Sequence, residues 1–223
     1  LEPALPCLER QLSIFGHNDH VWFGGIPFVE ARMSDDPDTD FKIKLDGMRQ
    51  LFDLHQKFDP EMTYYVWDTW ELTFSPTVWT PERVKAIVTA LPRDKTLIYD
   101  LVDFVGAANP PFYKRTDYFY GYPWALALLQ SFQGENHPHG DLPDLIERFR
   151  ELSQDPAANN CRGVFHVPET MGHNRLYFDL ASHLAWNPDG VTLAGYLDHY
   201  AARRYGRDDA AKMRPALDEW VKA

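Results

Sequence analysis

Short, almost wholly apolar and aromatic runs alternate along the chain with longer stretches in which apolar side chains recur every three or four positions. Residues 8–15 and 20–23 are aromatic and β-branched enough to hold a strand, followed by a loop at Gly24-Gly25-Ile26-Pro27. An Asp-rich stretch over 34–40 reads as a surface loop, and residues 41–58 carry helical spacing in Leu45, Met48, Leu51, Phe52 and His55. The pattern then repeats. Residues 63–70 are almost wholly apolar and aromatic, as expected of a strand buried on both faces. Thr80 and Pro81 open a helix as N-cap and first residue, with Val84, Ile87, Val88 and Leu91 on its inner side. Residues 97–102 form a third apolar run. Residues 124–132 form a fourth, whose periodicity would also fit a buried helix. An amphipathic helix over 143–153 buries Leu145, Ile146, Phe149 and Leu152, and a fifth strand at 163–167 precedes a helix at 174–186.

This alternation predicts an α/β fold of parallel βα units. A complete (β/α)₈ barrel takes about 250 residues. Residues 1–190 supply about five strands, so a partial, TIM-like barrel is expected. From residue 192 the character changes: helices over 192–205 and 208–222 follow one another with Gly206 as a cap between them. Residues 191–223 thus read as the start of an all-α C-terminal domain. The chain opens at Leu1 with neither an initiator Met nor a signal segment, which suits a fragment or a trimmed form.

Composition narrows the function. The 33 acidic and 22 basic side chains leave a net charge of −11 with no basic cluster, which argues against nucleic acid as a partner. No apolar run approaches the roughly 18 residues needed to cross a bilayer. Two cysteines, Cys7 and Cys161, make neither a disulfide framework nor a zinc site. The 14 Phe, 11 Tyr and 7 Trp suit core packing for the most part, and sugar-stacking surfaces in a cleft for a few.

In βα-barrel enzymes the chemistry sits at the C-terminal ends of the strands. Acidic residues recur there: Glu30, Asp68, Glu71, Asp100, Asp103, Glu135 and Glu169, several of which an acidic chain would carry merely as solvated loop charges. Glu30 and Glu169 share a frame, Pro27-Phe28-Val29-Glu30 and His166-Val167-Pro168-Glu169, in which a proline precedes a carboxylate at a strand mouth. Two carboxylates with aromatic neighbours suit glycoside hydrolysis. A metal reading has its best candidates in His137, His139, His17 and His20, but lacks ligand spacing such as H-E-x-x-H, so scattered loop histidines are the better account. Nucleophile-elbow, P-loop and dinucleotide motifs are absent.

At these motifs the sequence resembles the α-N-acetylglucosaminidases of glycoside hydrolase family 89. Lys114-Arg115-Thr116-Asp117-Tyr118-Phe119-Tyr120-Gly121-Tyr122-Pro123-Trp124 is similar to the family's "RT-x-x-F-x-G-x-PW" run, and Ala201-Ala202-Arg203-Arg204-Tyr205-Gly206 matches "AARRYG". Asp19-His20 with Pro27-Phe28-Val29-Glu30 resembles "DH…DPFNE", Leu97-Ile98-Tyr99-Asp100-Leu101 "LVLDL", Leu129-Gln130-Ser131-Phe132 "LHNF", and Pro168-Glu169-Thr170-Met171 "PEGI". The agreement runs in order from Phe15 to Gly206.

The resemblance implies a retaining α-glycosidase with Glu30 as general acid/base and Glu169 as nucleophile. It implies a sugar pocket lined by Trp70, Leu101, Phe132 and His20, with Asp100 accepting from a sugar hydroxyl. Neither a cofactor nor a metal is implied, and the partner is a carbohydrate; association into a homo-oligomer is left open. Its compartment would be secreted, periplasmic or lysosomal. Departures fall beside the expected pocket: Val29 replaces an Asn, Gln130-Ser131 replaces "HN" and Thr170 replaces a Gly. Such changes bear on how the C2 substituent of the sugar is read. Two alternatives therefore stay open: an inactive carbohydrate-binding remnant of the same fold, and a retaining α-glycosidase for another sugar.

Overall fold

The computed structural model describes residues 5–16, 23–24, 30–73, 77–101, 110–130, 140–168 and 174–222. The chain divides into two compact units, Leu1–Ala127 with Asn160–Arg162, and Leu128–Asn159 with Gly163–Ala223.

In the first unit, helix α1 (Leu5–Phe15) precedes strand β1 (Phe23–Gly24) and the long helix α2 (Pro37–Phe58). Strand β2 (Tyr65–Asp68) runs into a 3₁₀ turn, Trp70–Thr73, before helix α3 (Pro81–Val88) and strand β3 (Thr96–Asp100). Two short segments, α4 (Phe112–Arg115) and α5 (Asp117–Tyr120), lead into strand β4 (Trp124–Gln130). The sheet order is β1-β2-β3-β4-β5, with β5 at Cys161–Pro168. The β1–β2, β2–β3 and β3–β4 pairings are parallel, as βα units require, and align Gly24 with Val66, Asp68 with Tyr99, and Asp100 with Leu126. Trp124 N donates to Asn160 O at 3.2 Å, setting the approach to β5 beside the start of β4. Tyr65, Trp67, Ile98, Phe119 and Trp124 fill the core, and the Tyr113 ring stacks on Trp124 at 4.9 Å.

α5 is a single left-handed turn. Asp117, Tyr118, Phe119 and Tyr120 all have φ between 49° and 54°, a region that L-residues visit singly and at about 1–2 kcal/mol each. The turn swings Phe119 fully inside, 5.6 Å from the Trp124 ring, and ends at Gly121 with φ 81°.

The second unit holds helices α6 (Leu142–Gln154), α7 (Arg175–Trp186), α8 (Leu193–Tyr205) and α9 (Arg207–Lys222) with most of β5. α6 packs against α7 and α8, and α8 packs against α9. Tyr196 of α8 donates its hydroxyl to Leu176 O at 2.7 Å, and Arg203 reaches Asp179 at 2.6 Å. The Gly206 cap between α8 and α9 is present, its N–H bonded to Ala202 O.

Most expected elements are found within a few residues of their anticipated bounds, and residues 124–130 are a strand. Two expectations are corrected. The stretch 8–15 is helix, because Leu5, Leu8, Leu12 and Phe15 fall at helical intervals that outweigh the local β propensity of Ile14 and Phe15. The loop expected over 34–40 ends at Asp36, whose carboxylate accepts from Thr39 N at 2.9 Å as the N-cap of α2 with Pro37 behind it. The inner stripe of α2 is consequently Asp40, Lys44, Met48 and Phe52, four residues at i+4 intervals, charged in its first turns and apolar further on.

Candidate active site

The C-terminal ends of β1, β2 and β3 carry the described candidates. Asp68 closes β2, and its Oδ1 accepts from Trp70 N at 3.0 Å, a local side-chain bond that turns the chain into the 3₁₀ segment. Burial holds the Asp68 carboxyl above its ordinary value; the charge of Glu71 pushes the same way, while the Trp70 N–H pulls it back. Between them, fully buried Thr69 extends the β2–β3 pairing past the strand ends. Its N–H donates to Tyr99 O at 2.9 Å, and its hydroxyl oxygen accepts from Leu101 N at 2.9 Å. Leu101 is thereby fixed beside Asp100, the fully buried last residue of β3.

Glu30 lies after β1 with an exposed side chain. Its φ of 58° is left-handed, a conformation that a glutamate adopts only when its surroundings hold it there. Two neighbouring residues of the 3₁₀ turn supply the hold. Trp70 Nε1 donates to Glu30 Oε1 at 2.7 Å, and Glu71 Oε2 accepts the Glu30 backbone N–H at 2.8 Å. One turn after β2 thus grips both the side chain and the main chain of the acid after β1.

Beneath this grip lies a buried charge cluster. Lys44 Nζ bonds Glu71 Oε1 and lies 3.3 Å from Asp40 Oδ2, and Asp40 Oδ1 accepts from Met33 N at 2.6 Å and Ser34 N at 3.2 Å. Asp40 and Glu71 are 1% exposed and Lys44 3%, so no water screens them. Neither Lys44 nor Asp40 stands out in the sequence, where charged residues near a helix start read as solvated. The available signal was their i+4 phase with Met48 and Phe52. Glu71 was legible as a strand-end acid, but its burial was not.

Of the residues singled out from the sequence, the structure brings Glu30 and Trp70 into contact and places Asp100 and Leu101 at the adjoining strand end. His20, Phe132 and Glu169 lie outside the described residues, as do His17, His137 and His139. Among the described residues no group of three His, Cys, Asp or Glu side chains could hold a metal, and no helix is long and apolar enough to cross a membrane.

Trp70 and Glu71 thus hold both the carboxyl and the main chain of Glu30. Known proteins give this geometry a context. The sequence model of the α-N-acetylglucosaminidase TIM-barrel domain matches residues 6–188. Human α-N-acetylglucosaminidase is 31% identical over 200 residues, covering 89% of this chain and 25% of that protein. Two solved structures of a family 89 glycoside hydrolase from Clostridium perfringens are similar in fold. The complex with PUGNAc has a TM-score of 0.61 at 22% identity, over 89% of this chain and 20% of that one. The complex with 2-acetamido-1,2-dideoxynojirimycin has a TM-score of 0.62 at 20% identity, over 95% of this chain and 22% of that one. The chain spans about a quarter or less of the length of these relatives. By the extent of the match to the domain and the identity to the human protein, this chain belongs to the α-N-acetylglucosaminidase family and carries part of its TIM-barrel domain.

Proposed function

We propose that this chain carries the carboxylates of a retaining α-glycosidase that removes terminal α-linked sugars, with α-N-acetylglucosaminides as its substrates. Glu30 is the general acid/base and Glu169 the nucleophile. Glu30 protonates the glycosidic oxygen as Glu169 attacks the anomeric carbon, giving a β-linked glycosyl-enzyme and the free alcohol. Glu30, now ionised, then takes a proton from water, which attacks the same carbon and releases the sugar with its configuration kept. The substrate class follows the names of the relatives and of the ligands in the family 89 complexes.

The observation that carries this reading is the Trp70–Glu30 hydrogen bond. It leaves the second carboxyl oxygen of an exposed glutamate unengaged by that indole, and it ties the acid to the aromatic residue that forms one wall of the sugar pocket. On the family resemblance, Leu101, Phe132 and His20 are assigned to the same pocket, with Asp100 as acceptor from a sugar hydroxyl.

Azide trapping on an activated aryl α-glycoside tests the two roles separately. Glu30→Ala should be rescued by azide with formation of the α-glycosyl azide, and Glu169→Ala should yield the β-glycosyl azide. A general acid contributes roughly 10²–10⁴-fold, so Glu30→Gln should lose that much on a substrate with a poor leaving group. Sugar binding without any hydrolysis by the unaltered intact protein would instead show an inactive carbohydrate-binding remnant, and turnover confined to other α-glycosides would overturn the substrate assignment.

A further inference from the structure

The Lys44 cluster has no part in the chemistry above, yet its bonds lead to the residue that does. Each of its two carboxylates turns one oxygen to the Lys44 ammonium and the other to the backbone of the segment after β1. Glu71 takes the N–H of Glu30 at one end, and Asp40 takes those of Met33 and Ser34 at the other. One buried cation therefore clips a five-residue segment through two anions. We propose that Lys44 is a positioning residue: through Glu71 and Asp40 it holds the Glu30 backbone left-handed, so that the Glu30 carboxyl stays on Trp70 Nε1. The inference rests on the reading of Glu30 as acid/base.

Stability alone is a poor account of such a cluster. A buried triad of charges is commonly no more stabilising than apolar side chains of the same volume, so its expense is better explained by the geometry it imposes. Here that geometry is specific. The φ of 58° at Glu30 is a strained one for a residue with a Cβ, and its N–H is met by a carboxylate that cannot shift, being fixed by Lys44 from the other side. With that bond gone, the backbone relaxes toward negative φ and the Cα–Cβ direction swings. The carboxyl then leaves Trp70 Nε1, which is otherwise held independently by the turn that Asp68 closes. A misplacement of about 1 Å in a reacting group costs on the order of 10²-fold in rate.

The test is the double variant Lys44→Met/Glu71→Leu in the intact protein, which preserves volume and leaves no orphaned charge except Asp40, itself bonded to Met33 and Ser34. The expected result is a fall in kcat/KM of about 10²-fold on an alkyl α-glycoside, whose leaving group needs protonation, with a change in kcat/KM below about threefold on the dinitrophenyl α-glycoside, whose leaving group departs unprotonated. Glu71→Gln offers one acceptor oxygen to two donors, the Lys44 ammonium and the Glu30 N–H, and should show part of the same loss. A readout free of turnover is the indole ¹H–¹⁵N resonance of Trp70, identified by its loss in Trp70→Phe. It should move in the double variant toward its position in Glu30→Ala. Lys44→Arg keeps the charge but replaces a point by a planar fork, and should move the resonance in the same direction even if the double variant does not fold. An unmoved resonance in the variants that fold, or equal losses of kcat/KM on both leaving groups, would overturn the proposal. If Glu30→Gln leaves the alkyl glycoside untouched while the resonance responds to Lys44, the acid/base reading fails and the positioning stands. If Glu30→Gln is impaired and the Lys44 variants behave as wild type, the positioning alone fails.

Discussion

Among the described residues two cations, Lys44 and Arg214, each bridge two carboxylates, and the two bridges differ sharply in their access to water. Lys44 in the first unit joins Asp40 and Glu71, all three at most 3% exposed. Arg214 of α9 in the second unit joins Asp218 on its own helix to Asp198 on α8, with the Asp198 side chain 69% exposed. The Arg214 bridge, whose arginine is 21% exposed and whose aspartates reach water, is partly screened by solvent and can break and re-form at modest cost. The buried one must be complete, because removing one partner strands the others in a medium that cannot solvate them. The contrast matches what each bridge adjoins: a pair of packed helices already held by Leu197, Tyr200 and Leu217, and a strained segment bearing the proposed acid.

Removing the cation breaks the comparison most sharply. Lys44→Ala should destabilise the first unit by about 3–5 kcal/mol, the usual consequence of stranding buried charges, as read from the urea midpoint. Capping is the next effect in size. Asp36→Ala removes the acceptor for Thr39 N at the start of α2, the helix that delivers Asp40 and Lys44, and should lower the urea midpoint by less than Lys44→Ala does. Arg214→Ala should cost under about 1 kcal/mol, and the loss should shrink further in high salt, whereas that of Lys44→Ala should hardly respond to salt. A larger, salt-insensitive loss at Arg214 would mean that the two bridges are alike after all.

Protonation offers a gentler probe of both units. Burial holds His55 in α2 below its ordinary 6.5, although its bond to Leu51 O partly opposes this, and burial likewise lowers His166 in β5. In each case the unfolded chain takes up a proton near pH 6.5 that the folded chain accepts only at lower pH. Stability from these groups is therefore intact above 6.5 and falls as the pH drops below it. His55→Gln should flatten that decline for the first unit and His166→Gln for the second, measured by urea titration between pH 7.5 and about 5.

Much of the fold could be read in advance. The alternation of short apolar runs with helical spacing anticipated β2 to β5, and Val84, Ile87, Val88 and Leu91 are buried as expected. What escaped was of two kinds. At residues 8–15, local β propensity competed with a helical period and the period won. In α2 the rule that charge marks the outer side failed, because a lysine and an aspartate four residues apart can satisfy one another and face inward with Met48 and Phe52. Among the site residues, Glu30 and Trp70 were recognisable from strand ends and motif likeness. Their support was not, since the contacts of Lys44 with Glu71, and of Glu71 with Glu30, join positions 27 and 41 apart in sequence. No periodicity carries such pairings.

The left-handed turn at Asp117–Tyr120 bears on the order of folding. Four consecutive L-residues in that conformation cannot serve as a nucleus, because each is locally unfavourable until tertiary contacts repay it. The turn forms only when Phe119 and Trp124 meet in the core, so the entry into β4 is expected to set late, after β2 and β3 have paired. Substitutions within it should leave the folding rate nearly unchanged and alter mainly the rate of unfolding.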